Sequence, residues 1–194
     1  MNEELERRVH AATDQLAATN ARLAAQVQVD ELTGLFNRRG MWDMVARLMR
    51  DDAAANGKGA LILFDVDQFK KINDEHGHAT GDRVLAHIAR LLLAEIREGD
   101  AAIRFAGDEF ISLMPNCNLE TAQRRAQKLC ERVAATPLRL EHAHAVYITL
   151  SIGVTGWNGG LTAQQFSEML ARADQAMYKA KHGGRNRVVV TEGT

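Results

Sequence analysis

Residues 59–67 read GALILFDVD, a continuous apolar run that begins at a glycine and ends in two aspartates. A short uninterrupted apolar run with such ends is typical of a buried β-strand. Asp65 and Asp67 therefore stand where this strand leaves the core. Acidic side chains at such a place need either solvent or a functional partner.

The segments around this strand predict further strands and several helices. AAIRF at 101–105 and FISLM at 110–114 are short apolar runs separated by AGDE, which predicts a tight hairpin. Apolar residues at helical spacing, and an N-cap at Asn37, predict the helices. The remaining predicted elements are helices from about 38 to 54, 80 to 98, 119 to 135 and 162 to 181, and strands at 145–154 and 187–190. This order predicts an α/β fold with a mixed central sheet flanked by helices.

The first 29 residues have a different character. Residues 3–29 lack glycine and proline and are rich in Ala, Leu, Gln, Glu and Arg, which favour a helix. A heptad seam places Leu5, Val9, Ala12, Leu16 and Leu23 at a and d positions, while Thr19 and Gln26 interrupt it. We expect residues 1–29 to form a dimerising coiled coil and residues 30–194 the globular domain. A helix docked on its own chain is the alternative.

Composition excludes several classes of protein. A formal net charge of -1 and a pI of about 6.7 argue against nucleic acid as a partner. No apolar run long enough for a membrane span and no signal peptide is present, so we expect a cytoplasmic chain without a membrane partner. Cys117 and Cys130 lack metal-ligand spacing, and we assign them no role.

The acids at the strand end and in the hairpin turn allow two interpretations. If the hairpin lies beside the first strand, Asp65 and Asp108 converge and offer the hard oxygen ligands that Mg²⁺ prefers. Alternatively, acids are common at strand ends and in turns because these places are wet. Spacing alone favours the second interpretation.

Four segments of the sequence favour the metal-binding interpretation. They read DELTGLFNRR at 30–39, FDVDQFKKINDEHGHATGDRVL at 64–85, RFAGDEF at 104–110 and ARADQAMYKAKHGGRNRV at 171–188. With these segments in this order and spacing, residues 30–194 resemble the GGDEF-family diguanylate cyclases, which join two GTP molecules into cyclic di-GMP. The resemblance implies a palm-like nucleotidyl-cyclase sheet for this region.

The resemblance also implies a metal site and catalytic groups. The implied ligands of Mg²⁺, or of Mn²⁺ in its place, are Asp65, the Val66 carbonyl and Asp108. Asp108 is also the implied base for the GTP 3′-hydroxyl, with Glu109 as a further catalytic acid. Lys70 is the implied cation that offsets charge on the phosphoryl oxygens when the 3′-oxygen attacks an α-phosphorus.

A further group of residues is implied in nucleotide binding. A carboxylate at Asp82 suits guanine, whose N1–H and N2–H₂ are neighbouring donors. Without the resemblance, a turn or cap role for Asn73 and an ordinary loop position for His78 are favoured, and Lys181 and Arg185 also suit a helix end that favours cations. The implied set is Phe69, Asn73, His78, Asp82, Lys181 and Arg185, of which Lys181 and Arg185 are implied to contact terminal phosphates.

The resemblance also implies a second, product-binding site, and the sequence departs from the family motif at one residue. Arg97 and Asp100 fit the RxxD motif at which cyclic di-GMP inhibits many family members, although loops often carry such residues for solubility. The third member of that site stays open between Arg124, Arg125 and Lys128. Ala106 replaces the first glycine of the motif, where a required positive φ or a close ligand would make its methyl group unfavourable.

Two functions follow from these observations. The first is an active, Mg²⁺-dependent diguanylate cyclase that works as a homodimer with one GTP per subunit. The alternative is a catalytically silent module that binds cyclic di-GMP through Arg97 and Asp100. A dimerisation partner without any nucleotide function is disfavoured, because the assigned acids are all present.

Overall fold

The computed structural model describes residues 28–50, 57–140 and 145–191, and the predicted buried strand lies at the centre of the fold. The helices are Arg38–Leu48 (α1), Phe69–His76 (α2), His78–Leu93 (α3), Leu119–Ala135 (α4) and Ala163–His182 (α5). The strands are Lys58–Val66 (β1), Ala101–Ala106 (β2), Glu109–Pro115 (β3), Leu138–Arg139 (β4), Ala145–Val146 (β5), Leu150–Asn158 (β6) and Arg187–Thr191 (β7).

Five strands form one mixed sheet in the order β2-β3-β1-β6-β7, and β4 pairs with β5 in a separate small sheet. β1 runs antiparallel to both of its neighbours, whereas β6 and β7 are parallel. The sheet has helices on both faces, which confirms the predicted fold class. The described helices include none that is long and apolar enough to cross a membrane.

Burial on both faces explains the apolar run of β1. Leu61 and Leu63 belong to the cluster formed with α1 and α5, whereas Ile62 and Phe64 belong to the cluster formed with α3 and α4. Because successive side chains of a strand point to opposite faces, a strand covered on both sides must be apolar at every position. The ring of Phe64 stacks on that of Phe110 in β3, with centroids 5.3 Å apart.

Several predicted boundaries were wrong. The first helix ends at Leu48 instead of about Ala54, and the helix predicted for 80–98 spans His78–Leu93. A separate helix, α2, was not predicted; it is divided from α3 by Gly77, whose φ of 82° interrupts the helical path. The strand predicted for 145–154 is two strands, because β5 pairs with β4 while β6 follows β1 for its full length.

Two other predictions concern the start of the domain and the cysteines. Residues 1–27 lie outside the described residues, so the coiled coil stays a prediction. The described domain starts with a bridge between Val29 and Phe36, and Phe36 pairs in turn with Ile103 of β2. Cys117 and Cys130 are buried free thiols, and burial raises the pKa of Cys130 to about 11, which suits the absence of an assigned role.

Helix α5 lies against β6 so closely that only a glycine fits at Gly153. A Cβ atom there would be 2.1 Å from the Ala173 carbonyl oxygen and 2.6 Å from the Met177 amide nitrogen. We expect Gly153→Ala to destabilise the domain by about 1–3 kcal/mol, since the helix must shift. Urea unfolding of both proteins measures this difference.

Gly156→Ala, on the same strand, is the matched control. Its Cβ atom would meet its nearest neighbour, the Gly59 carbonyl oxygen, at 3.3 Å and Leu119 at 3.6 Å. We expect a smaller loss than at Gly153. Equal losses in the two variants would show that the contact with α5 is not the cause.

Candidate active site

The turn between β2 and β3 carries the acids of the AGDEF motif. Ala106 pairs with Glu109, which leaves Gly107 and Asp108 as the turn residues, and Gly107 has a φ of 48°. Ala106 is not among the described residues with positive φ. The backbone strain considered for Ala106 is therefore absent, because the position in this motif that needs a glycine conformation is Gly107.

Pairing of β1 with β3 brings the strand end and this turn together. Asp65 lies opposite Glu109 in the antiparallel register, and the Val66 amide donates to the Asp108 carbonyl oxygen at 3.3 Å. The acids that sequence analysis assigned to metal binding and catalysis thus meet at one edge of the sheet. The convergence of Asp65 and Asp108 is the geometry that the metal interpretation required.

These acids act on each other electrostatically. Burial, together with the charges of Asp108 and Glu109, raises the pKa of Asp65 to about 6, although the hydrogen bond and charge of Lys181 oppose the rise. Burial also raises the pKa of Glu109, with Lys181 again opposing and Asp108 contributing. Crowded carboxylates of this kind gain from a cation that neutralises them.

The donor set suits a magnesium ion. Two carboxylates and a neighbouring carbonyl supply hard oxygen atoms, which is the ligand type that Mg²⁺ prefers, with substrate phosphates and water completing its shell. Within residues 28–50, 57–140 and 145–191, no group of three or more His, Cys, Asp or Glu side chains is arranged to hold a metal alone.

Lys181 contacts an acid of this site. Its Nζ lies 2.9 Å from Asp65 Oδ2, and the two side chains are 31% and 12% exposed. The resemblance implied a contact between Lys181 and terminal phosphates of a nucleotide, which stays a prediction; the structure places the Lys181 side chain at the end of β1. Arg185, the other implied phosphate ligand, is exposed in the turn after α5.

Asp67 has a different role from Asp65, although both lie at the end of the same strand. It is buried and accepts hydrogen bonds from the hydroxyl groups of Thr149 (2.7 Å) and Ser151 (2.6 Å). It also accepts from the Asn186 amide at 3.0 Å. Asp67 therefore joins β1 to β6 and to the turn before β7, and its acceptor capacity is used for structure.

The other residues implied in nucleotide binding, and the implied catalytic Lys70, lie on α2 and α3. Phe69, Lys70 and Asn73 belong to α2, and His78 and Asp82 to α3. Lys70, His78 and Asp82 have exposed side chains. The two helices are adjacent in sequence and pack against each other.

The side chain of Asn73 lies at the contact between α2 and α3. Its Oδ1 atom is buried and has no hydrogen-bond partner among the described residues. A Cβ atom at Gly81 would lie 1.9 Å from this oxygen, so the approach of α2 to α3 depends on that glycine. Sequence analysis missed Gly81, although a glycine inside a helical pattern is a signal of close packing.

Arg104 is a second residue that sequence analysis missed. Its guanidinium contacts both carboxylate oxygens of Asp30, at 3.1 and 3.2 Å, and donates to the Gly107 carbonyl oxygen at 2.9 Å. The start of the domain is thereby connected to the turn between β2 and β3. A charged residue inside the apolar strand AAIRF was the available signal, because a partly buried charge needs a partner.

The RxxD residues form an ion cluster at the opposite end of the hairpin. Arg97 Nε lies 3.2 Å from Asp100 Oδ1, and Arg125 Nη1 lies 2.7 Å from Asp100 Oδ2. Arg124 pairs with Glu120 instead, and Lys128 pairs with Glu95, outside this cluster. Arg125 is therefore the third member of the cluster that sequence analysis left open.

Known proteins share this fold and these motifs. The family model described as diguanylate cyclase, GGDEF domain, matches residues 27–187. The response regulator PleD of Caulobacter vibrioides is 38% identical over 162 residues, which cover 82% of this chain and 35% of PleD. The diguanylate cyclase DgcP of Pseudomonas aeruginosa is 37% identical over 190 residues, which cover 94% of this chain and 27% of DgcP.

Among solved structures, a similar one is the coiled coil and GGDEF domain of DgcB from Caulobacter crescentus in complex with c-di-GMP. Its TM-score is 0.78 at 26% identity, and the match covers 96% of this chain and 99% of that one. The chain spans less than half the length of the two curated relatives described above. The match to the family model confirms the resemblance carried by the four motifs: the chain belongs to the GGDEF domain family of diguanylate cyclases.

Proposed function

We propose that the chain is an active diguanylate cyclase that condenses two GTP molecules into cyclic di-GMP and releases two pyrophosphates. The observation that carries this proposal is the convergence of Asp65 and Asp108 at the end of the β1–β3 pair. Relatives such as DgcP carry the cyclase name, which supports the same function. The absence of positive φ at Ala106 removes one reason to expect a silent site.

Asp65, the Val66 carbonyl and Asp108 hold Mg²⁺, and Mn²⁺ serves in its place. When bound, the metal supplies positive charge that activates a hydroxyl group and stabilises charge on the phosphates. Asp108 accepts the proton of the GTP 3′-hydroxyl as its oxygen bonds to an α-phosphorus and the bond to pyrophosphate breaks. Lys70 and Glu109 complete the catalytic group, with Lys70 offsetting phosphoryl charge.

Guanine binds in the cleft between α2 and α3. The unpartnered Oδ1 of Asn73 accepts from a guanine N–H, and Asp82 accepts from the neighbouring donors. Phe69 and His78 line the same cleft, and Lys181 and Arg185 bind the terminal phosphates. A buried acceptor without a partner is costly in the free protein, so a ligand donor there contributes to affinity.

Two subunits are needed for one product, because a subunit with one GTP can form only half of the ring. The two bound nucleotides face each other, so that each 3′-hydroxyl attacks the partner's nucleotide. Residues 1–29 hold the homodimer together as a coiled coil. The similarity to DgcB over 96% of this chain supports this, since the matched DgcB structure contains a coiled coil.

Turnover of GTP in the presence of Mg²⁺ tests the function. We expect cyclic di-GMP, detected by chromatography, at a specific rate that rises with protein concentration until the dimer is saturated. Binding of cyclic di-GMP without any turnover would support the silent module instead. That alternative has structural support, because the Arg97–Asp100–Arg125 cluster is formed and DgcB is seen in complex with c-di-GMP.

Asp108→Asn separates catalysis from folding. We expect kcat to fall by about a hundredfold or more, because the amide can neither take the proton nor supply an anionic ligand. The melting temperature should hardly change. Asp74→Asn, at an exposed acid of α2, is the control and should retain its rate; an equal loss in both variants would point to a general defect.

Gly81→Ala tests the guanine cleft. The added methyl group must push Asn73 aside, and we expect KM for GTP to rise by about tenfold or more. The double variant Asn73→Ala/Gly81→Ala should be no worse than Asn73→Ala alone, because the clash is then gone. Steady-state kinetics of all three proteins measure this, and simple additivity of the two effects would contradict the shared cleft.

Arg125→Ala tests the product site. We propose that cyclic di-GMP binds at Arg97, Asp100 and Arg125 and inhibits turnover, since an arginine fork suits phosphate and guanine edges. The concentration of cyclic di-GMP that halves the rate should rise by about tenfold or more. Arg124→Ala, at the adjacent but exposed arginine paired with Glu120, should leave this concentration unchanged. A matching rise in that control would count against the assignment.

A further inference from the structure

Lys181 contacts Asp65, a proposed metal ligand. Its Nζ is 2.9 Å from Asp65 Oδ2, while the side chain is 31% exposed. Lys181 is thus directed to the end of β1.

The acids around Lys181 outnumber it. Asp65 is influenced by Asp108 and Glu109, and Glu109 in turn by Asp174. Lys181 is the cation that acts on both Asp65 and Glu109. This lysine therefore offsets part of the negative charge that the proposed metal would otherwise offset.

Lysine and metal compete for the same oxygen atoms. Mg²⁺ bound to a carboxylate lies about 2.0–2.1 Å from the oxygen. An ammonium group 2.9 Å from Asp65 Oδ2 would then face a divalent ion at close range. Repulsion between them is strong in a partly buried site, so the metal must displace Lys181.

The backbone next to Lys181 is fixed. The Arg185 amide donates to the Ala180 carbonyl oxygen at 3.0 Å, and the Asn186 amide donates to Asp67 at 3.0 Å. The displaced group can therefore move by rotation of the long side chain while α5 stays in place. A displaced ammonium needs an anion, and nucleotide phosphates would provide one beside the metal.

We propose that Lys181 is a resident counter-cation of the metal site, so that the divalent metal binds weakly until nucleotide phosphates receive the displaced lysine. Metal and nucleotide then bind cooperatively, and each raises the affinity for the other by the same factor. This inference rests on the proposed function, because it requires the metal at Asp65 and Asp108. It adds a role for Lys181 in the order of binding.

Titration of the full chain with Mn²⁺ tests the inference, with free Mn²⁺ measured by electron paramagnetic resonance. Each titration is done with and without 3′-deoxyGTP, which lacks the attacking hydroxyl group. Without nucleotide, we expect Lys181→Met to bind Mn²⁺ about tenfold more tightly than the wild type, because the competing charge is gone. The factor by which nucleotide strengthens Mn²⁺ binding should shrink in this variant.

Lys179→Met is the matched control, since Lys179 is exposed on the same helix turn, and it should behave as the wild type. Lys181→Gln provides a second uncharged variant should Lys181→Met fold poorly. Unchanged Mn²⁺ affinity without nucleotide in the Lys181 variants overturns the inference, while turnover by the wild type would leave the proposed function standing. Mn²⁺ binding that survives in Asp65→Asn overturns both the inference and the metal assignment.

Discussion

The antiparallel pairing of β1 with β3 is the constraint on which the site depends. Its register sets Asp65 opposite Glu109 and brings the Asp108 carbonyl oxygen to the Val66 amide. A slip of one residue would turn every side chain of the strand to the other face, which the apolar clusters on both faces forbid. Packing of the core thus fixes the relation between the acids. The fold can tolerate a cluster of like charges at this position because the apolar clusters on both faces of the sheet hold the strand.

Arg104 extends this constraint to the start of the domain. It binds Asp30 through two contacts and the Gly107 carbonyl oxygen through a third, and the backbones of Phe36 and β2 pair beside it. The start of the described domain is therefore connected to the turn between β2 and β3 by this side chain as well as by backbone pairing. Any change in how the chain enters the domain must either move the turn or break this ion pair.

Sequence reasoning succeeded where a local pattern determines structure and failed where distant segments meet. The strand β1 and the AGDE hairpin were predictable from the sequence, because burial and turn geometry depend there on residues that are neighbours in the chain. The division of α2 from α3 depends on Gly77, a single residue that the periodicity of apolar side chains does not reveal. Asp67 resembled Asp65 in sequence, yet its partners Thr149, Ser151 and Asn186 come from distant parts of the chain.

The contrast between Asp65 and Asp67 shows how one strand end serves two purposes. Asp67 accepts three hydrogen bonds, so its charge is satisfied within the protein and it holds the turn after α5 in place. Asp65 meets one lysine and two further acids, so its charge is only partly compensated. The turn held by Asp67 follows directly after the helix that carries Lys181, and that lysine meets the partly compensated acids at the end of β1. Asp67 thus supports the backbone beside these acids, while Asp65 keeps the negative charge on which the proposed cation site depends.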